Sequence, residues 1–172
     1  MATISKQVVL AAMSLTDSPP PILHCLEANS QTFVKGEPVF RSAGYLTEIA
    51  SDTPAQIYGV AAGPASNDAA AQTNNTLECP VFLAQPDVLF EINMLETGGA
   101  DHVLVASDIG VAMAIQRVTA DSKFYLNASI KTGGTSVRMF VHRIARGSAL
   151  GDTNARVLAS FLPNFVQQLG TS

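Results

Sequence analysis

Chemistry in this chain would have to come from three histidines, two cysteines and a scatter of carboxylates. A metal centre calls for ligands at recurring short spacings, and the sequence holds no HxH, HExxH or CxxC. His24 and Cys25 are adjacent, but neighbours on an extended chain point to opposite sides, which argues against joint ligation. Asp101-His102 supplies half of a nucleophile–base–acid triad, yet no GxSxG or comparable nucleophile setting accompanies it or His142. Gly98-Gly99 and Gly133-Gly134 are isolated doublets without GxGxxG spacing or a following Lys-Ser/Thr. They read as turns rather than as phosphate cradles. Glu78, Asp87, Glu91, Glu96 and Asp101 crowd the middle third, where chance alone supplies glycosidase-like pairs and no spacing selects one. The residue inventory therefore predicts a protein that is not an enzyme and has no catalytic, cofactor-binding or metal-binding residues.

The composition points the same way. Of 172 residues, 47% are hydrophobic and only 14% charged, well under the usual quarter for soluble domains. Its apolar runs, such as Val103–Ala106 and Val111–Ile115, are too short and too interrupted to span a bilayer, so no membrane partner is expected. A buried subunit interface better explains the apolar surplus. The net charge of -4 and the lack of a Lys/Arg cluster argue against nucleic acid, whose phosphates need a basic stripe. Met1–Lys6 lacks the features of a signal peptide, so synthesis in a cytoplasm is expected. Cys25 and Cys79 form no short motif and read as buried free thiols, with a disulfide as the lesser alternative.

The elements that would position these residues are short strands between turns. Residues 1–30 stand apart: an apolar stretch around Val8, Val9 and Leu10 is followed by Pro19-Pro20-Pro21, which fixes φ and removes donors. This predicts an extended N-terminal arm, with a β-rich domain and a C-terminal packing segment over 31–172. Within that domain Ser42-Ala43-Gly44 marks a compact hairpin, and Gly59 marks a bulge or a close backbone approach within Ile57–Ala61. Strands are expected on either side of Gln85-Pro86-Asp87. Phe124–Ile130 and Val137–Ile144, around Lys131–Thr135, read as a further hairpin. Residues 103–118 are ambiguous between two short apolar pieces with a turn at Asp108-Ile109-Gly110 and a short helix. Along the last of these strands Val137, Met139, Val141 and Ala145 share a face. Pro163 ends a strand through Phe161 and leaves a terminal segment to pack on a neighbour. Recurrent strands without strand–helix alternation predict a mostly β fold, a small β-barrel, β-tulip-like or sandwich domain.

The stretch Phe33-Val34-Lys35-Gly36-Glu37-Pro38-Val39-Phe40, then Gly44–Ile49 and Gln56-Ile57-Tyr58-Gly59-Val60-Ala61, resembles capsid decoration (cement) proteins of tailed bacteriophages. The closing pattern of Val137–Ile144, the Gly151–Asn154 loop and Ala155–Phe161 is similar as well, so the resemblance covers 33–161 in outline. It implies a virion protein on the outer surface of an icosahedral shell, with the major capsid protein as partner and a dimer or trimer as homo-oligomer. No active-site residue is carried over. Interface candidates follow from apolar character: Val8, Val9, Leu10, Ile22 and Leu23 in the arm, and Phe161, Leu162, Phe165 and Val166 at the end. A rival expectation is a ligand- or glycan-binding β module of a phage tail or surface assembly. That reading would want exposed aromatic rings, and the chain has no Trp and three Tyr.

Overall fold

A computed structural model describes residues 2, 9–15, 18–49, 55–74, 77–118, 123–131 and 136–167, with the backbone alone at 10–12. The fold is mostly β, with two sheets in a sandwich-like arrangement. Its strands are β1 (Leu10–Ser14), β2 (Ile22–Leu26), β3 (Pro38–Ser42), β4 (Tyr45–Glu48), β5 (Gly59–Ala61), β6 (Glu78–Leu83), β7 (Val88–Leu95), β8 (Ala112–Val118), β9 (Lys123–Lys131), β10 (Val137–Ile144) and β11 (Arg156–Phe161). One helical turn, α1 (Ala71–Asn74), lies in the polar loop before β6.

The first sheet runs β1-β7-β11-β10-β8-β9, and Met94 and Leu95 at the end of β7 also pair in parallel with Leu126 and Asn127 of β9. The pairings β7-β11-β10-β8-β9 thus return to β7, which closes a small circuit with β1 added on its outside. The second sheet runs β2-β6-β5-β3-β4, and a parallel bridge from Glu27 to Leu46 draws β2 toward β4. Alternation explains how the two sheets share their apolar residues. On β7 and β11 the buried Val88, Phe90, Ile92 and Met94 face Val157, Ala159 and Phe161 in the larger core, where Phe90 and Phe161 meet edge to face at 5.1 Å. In the second sheet Val39, Ala61, Cys79, Val81 and Leu83 line a smaller core with Phe33, Leu46 and Tyr58. The alternate positions Phe40, Val60 and Phe82 turn the other way and pack on the larger core. One sheet therefore has apolar residues on both faces, which accounts for part of the apolar surplus.

Two turns show why these residues form these elements. Ser42 and Tyr45 are paired, and Ala43 and Gly44 between them have φ of +48° and +90°. Positive φ at both central residues matches the right-handed twist of the strands, and this is the hairpin expected from Ser42-Ala43-Gly44. Gly59 is the close approach expected from Ile57–Ala61: a Cβ there would collide with the Phe82 carbonyl oxygen and with Cγ1 of Val81. Gln85-Pro86-Asp87 does not turn one strand back on the other. It carries the chain from β6 in the second sheet to β7 in the first. Over 103–118 the structure has the turn and two pieces, with a short 3-10 turn at Ala106–Asp108 before β8.

Several expectations are corrected. β9 and β10 are not hairpin partners, because β8 lies between them and pairs with both; residues 132–135 of the expected turn lie outside the described residues. A turn sequence reverses the chain but does not choose its neighbour, and β8 buries Met113, Ala114 and Ile115 by taking the central place. Residues 10–14 and 22–26, expected within an arm, are strands on the outer side of each sheet, paired with β7 and β6. Val9 and Phe161, expected at an interface, are each 1% exposed and lie in the larger core. The C-terminal segment packs on its own chain: Ile57 donates its N–H to the Phe165 carbonyl at 2.8 Å and accepts from the Gln167 N–H at 2.9 Å.

Ala43 holds a left-handed backbone that asparagine tolerates better. Ala43→Asn is expected to stabilise the protein by about 0.5–1 kcal/mol, read from the urea midpoint at unchanged slope. Gly59→Ala is expected to lower stability by about 1–3 kcal/mol in the same titration, because the backbone of β6 cannot yield as a side chain would.

Candidate functional site

The densest group of titratable side chains lies where β7 ends beside β9. Glu96 follows β7, His102 lies in the next loop, Asp108 ends the short turn before β8, and Ser129 and Lys131 project from β9. Glu96 Oε1 is 2.5 Å from His102 Nδ1, and Asp108 Oδ2 is 2.9 Å from His102 Nε2. Lys131 Nζ donates to Asp108 Oδ1 at 2.6 Å, and the Ser129 hydroxyl donates to Glu96. Asp108 is fully buried and also accepts the Val105 N–H at 2.8 Å. A second layer supports the loop: the Asn154 side chain accepts from the His102 N–H at 3.2 Å and donates to Asp101 at 2.7 Å.

Each negative group in this chain is flanked by donors. The Ser129 hydroxyl, then the His102 ring, hold the Glu96 carboxyl below its usual range despite some burial. Burial pushes Asp108 up, but the donors from Lys131, Val105 and His102 outweigh it and leave its carboxyl lowered. Both ring nitrogens of His102 are taken up by carboxylates, and Ser129 reaches Glu96 rather than the ring. The arrangement is a charge-alternating clasp that ties the β7–β8 loops to β9. Asp101, its sequence neighbour, reaches Asn154 instead. Among the described residues no group of three or more His, Cys, Asp and Glu side chains is arranged to hold a metal ion.

The remaining candidates are dispersed. Cys25 and Cys79 are register partners on β2 and β6, both free and buried. Burial pushes the Cys25 thiol up and the Cys79 thiol to about 11, which makes both poor nucleophiles. His24 is exposed on β2, 3.9 Å from Glu78. His142 Nε2 lies 2.9 Å from the Ser160 hydroxyl across β10 and β11. Glu37 and Arg117 form a 3.5 Å ion pair between β8 and the start of β3, and burial raises the Glu37 carboxyl. A cleft of about 190 Å³ lies beside Tyr58, Leu83, Pro86 and Val166, and its walls are almost wholly apolar.

Of the expected interface residues, Ile22 and Leu23 are brought together in the open, 53% and 38% exposed on β2. Leu162, Phe165 and Val166 are half-buried against their own chain, with Phe165 under the Arg138 guanidinium at 3.9 Å. Val8 and the Leu10 side chain lie outside the described residues. Sequence reasoning did not single out Val103, Val105 and Leu150, which are exposed around the loop bridge of Val103 to Thr153. It also overlooked the clasp, in which Glu96, His102 and Asp108, six residues apart, meet directly and Ser129 and Lys131 join them from β9. Among the described residues no helix is long and apolar enough to cross a membrane. No family model, curated protein or solved structure matches the chain.

The clasp makes stability depend on acid in a definite direction. Glu96 and Asp108 have folded values below their ordinary 4.5 and 3.8, so their contribution is complete above those values. It is lost as pH falls through the lower folded values. Asp108→Asn, which leaves Lys131 and His102 facing a neutral group, is expected to cost about 3 kcal/mol at pH 7. The same variant should flatten the fall in urea midpoint below about pH 4.

Proposed function

We propose that the protein is a structural virion component that binds the outside of an icosahedral capsid and bridges major capsid subunits. The observation that carries this reading is the open side of β2. Leu83 N–H bonds to the Pro21 carbonyl and Glu27 N–H to the Leu77 carbonyl, which sets the alternation of the antiparallel pair. Ile22 and His24 therefore turn their amide groups away from β6, toward the outer edge, while the Ile22 and Leu23 side chains stand exposed. An apolar sheet edge of this kind is a template for a strand from another chain. Pro19-Pro20-Pro21 ahead of it limits how far such pairing extends. The major capsid protein is the partner in this reading, and the resemblance of 33–161 to decoration proteins supports it.

The glycan-binding alternative is less well served. Tyr58 and Tyr125 are 2% and 1% exposed, which leaves Tyr45 as the one tyrosine able to offer part of a ring to a sugar.

The test is cosedimentation of the full-length protein with expanded, undecorated shells of the phage that encodes it. Saturable binding at a fixed ratio to capsid subunits is expected, about tenfold weaker for the double variant Ile22→Asp, Leu23→Asp. Failure of the folded wild type to bind expanded shells at any concentration would remove the capsid reading.

A further inference from the structure

On the outer face of the first sheet, β1, β7, β11 and β10 surround a cleft of about 290 Å³. It is lined by Met13, Ser14, Leu15, Leu89, His142 and Arg143. Consecutive residues of a regular strand point to opposite faces, so the pair His142-Arg143 should not line one hollow. Irregularities in the ladders explain it. The β1–β7 register shifts between Ala11 and Met13, and the β10–β11 register shifts between Val141 and Arg143. The β10 irregularity re-aims His142 and Arg143 into the same cleft, a device found beside binding sites.

The chemistry of the lining is specific. Met13 packs on a small apolar group of Leu89, Ala145 and Leu158, which gives the cleft a greasy floor. Arg143 is exposed, and among the described residues no carboxylate pairs with it; its Nη2 rests 3.1 Å from the Met13 sulfur, a weak acceptor. Among the described residues, the carboxylates of Glu91 on β7 and Asp87 just before it are already engaged. Glu91 binds Arg156 at 2.5 Å, and Asp87 Oδ2 accepts the Ser14 hydroxyl at 3.2 Å. The Ser160 hydroxyl fixes the His142 ring through Nε2, and the Phe140 ring contacts it edge-on at 5.0 Å.

We propose that this cleft binds a carboxylate carried on a short aliphatic group. Arg143 pairs with the carboxylate, and His142 donates to it from Nδ1 while Nε2 accepts the Ser160 hydroxyl proton. Met13, Leu15 and Leu89 take the aliphatic part. Burial and the neighbouring Arg143 lower the His142 basicity, so the empty site holds a neutral ring, and a bound anion should raise it. Among the described residues, Asp87 reaches the cleft lining through the Ser14 hydroxyl. The proposal stands apart from the capsid reading and does not depend on it.

Titration of the isotope-labelled full-length protein with isovalerate, at constant ionic strength, tests it by heteronuclear NMR. Saturable shifts are expected at His142, Arg143 and Leu89, together with an upward move of the His142 ring titration when isovalerate is bound. Acetate lacks the tail and isoamyl alcohol lacks the charge, so each should bind about tenfold more weakly. Arg143→Gln should weaken isovalerate about tenfold, with partial recovery in Arg143→Lys. Absence of saturable isovalerate shifts, or an unchanged response in folded Arg143→Gln, would overturn the assignment. Inorganic phosphate binding as tightly as isovalerate would also overturn it, by reducing the site to general anion adsorption.

Discussion

Everything in the larger core depends on β7 finding β9. For most of its length β7 is an ordinary antiparallel strand between β1 and β11, and only Met94 and Leu95 pair in parallel with Leu126 and Asn127. Those last pairings turn an open sheet into a closed circuit. Without them β7 and β9 would both present bare amides, and Met94 and Leu126, both fully buried, would lie at an opening. Parallel neighbours cannot be joined by a tight turn, so the chain between β7 and β9 has to travel, through two short 3-10 turns and β8. The Glu96–His102–Asp108–Lys131 clasp sits on that excursion. Its charges cross from the travelling loops to β9 and so hold shut the same junction that the backbone pairing makes.

Few charges are available for such tasks, and their placement is economical. Glu37 with Arg117 joins the second sheet to β8, and Arg156 with Glu91 braces neighbouring strands on the outer face. The clasp takes Glu96, Asp108 and Lys131. With most acidic groups near the first sheet engaged in this way, Arg143 stands out as a cation on that face with no carboxylate partner among the described residues. A surface rich in charge would have given such an arginine a partner by chance. Here the low charge density is what gives the cleft its character.

The strands and tight turns were largely legible in the sequence, and their neighbours were not. Ser42-Ala43-Gly44 and Gly59 are local signals with local causes, a positive φ and a missing Cβ, and both appear where expected. The alternation of Val137, Met139 and Val141 likewise maps onto the buried face of β10, whereas Ala145, expected with them, packs on the other side with Leu89 and Leu158. Pairing is a property of distant partners. Nothing within 123–144 says that β8 enters between β9 and β10, since the cause is the burial of Met113 and Ile115 elsewhere in the chain. Residues 10–14 and 22–26 were hidden for a related reason: Pro19-Pro20-Pro21 separates them, and each joins a different sheet. The clasp had no helical or strand period to reveal it, and the cleft of His142 and Arg143 depends on bulges that no local pattern announces.

The same split explains why apolar character alone was a poor guide to interfaces. Val9, Ile22 and Phe161 have similar side chains, yet Val9 and Phe161 lie in the closed core and Ile22 stands 53% exposed. What separates Phe161 from Ile22 is the position of the strand in its sheet. β11 is flanked on both sides, so alternate residues have to enter the core. The first half of β2 has β6 on one side and runs past the small core, which its inward positions reach only at Cys25. The exposed apolar surface of β2 therefore follows the place where its sheet stops closing on itself. That is also the place where main-chain groups are left to bond with something else, so the apolar contact and the backbone contact that a partner would make are created by one topological fact.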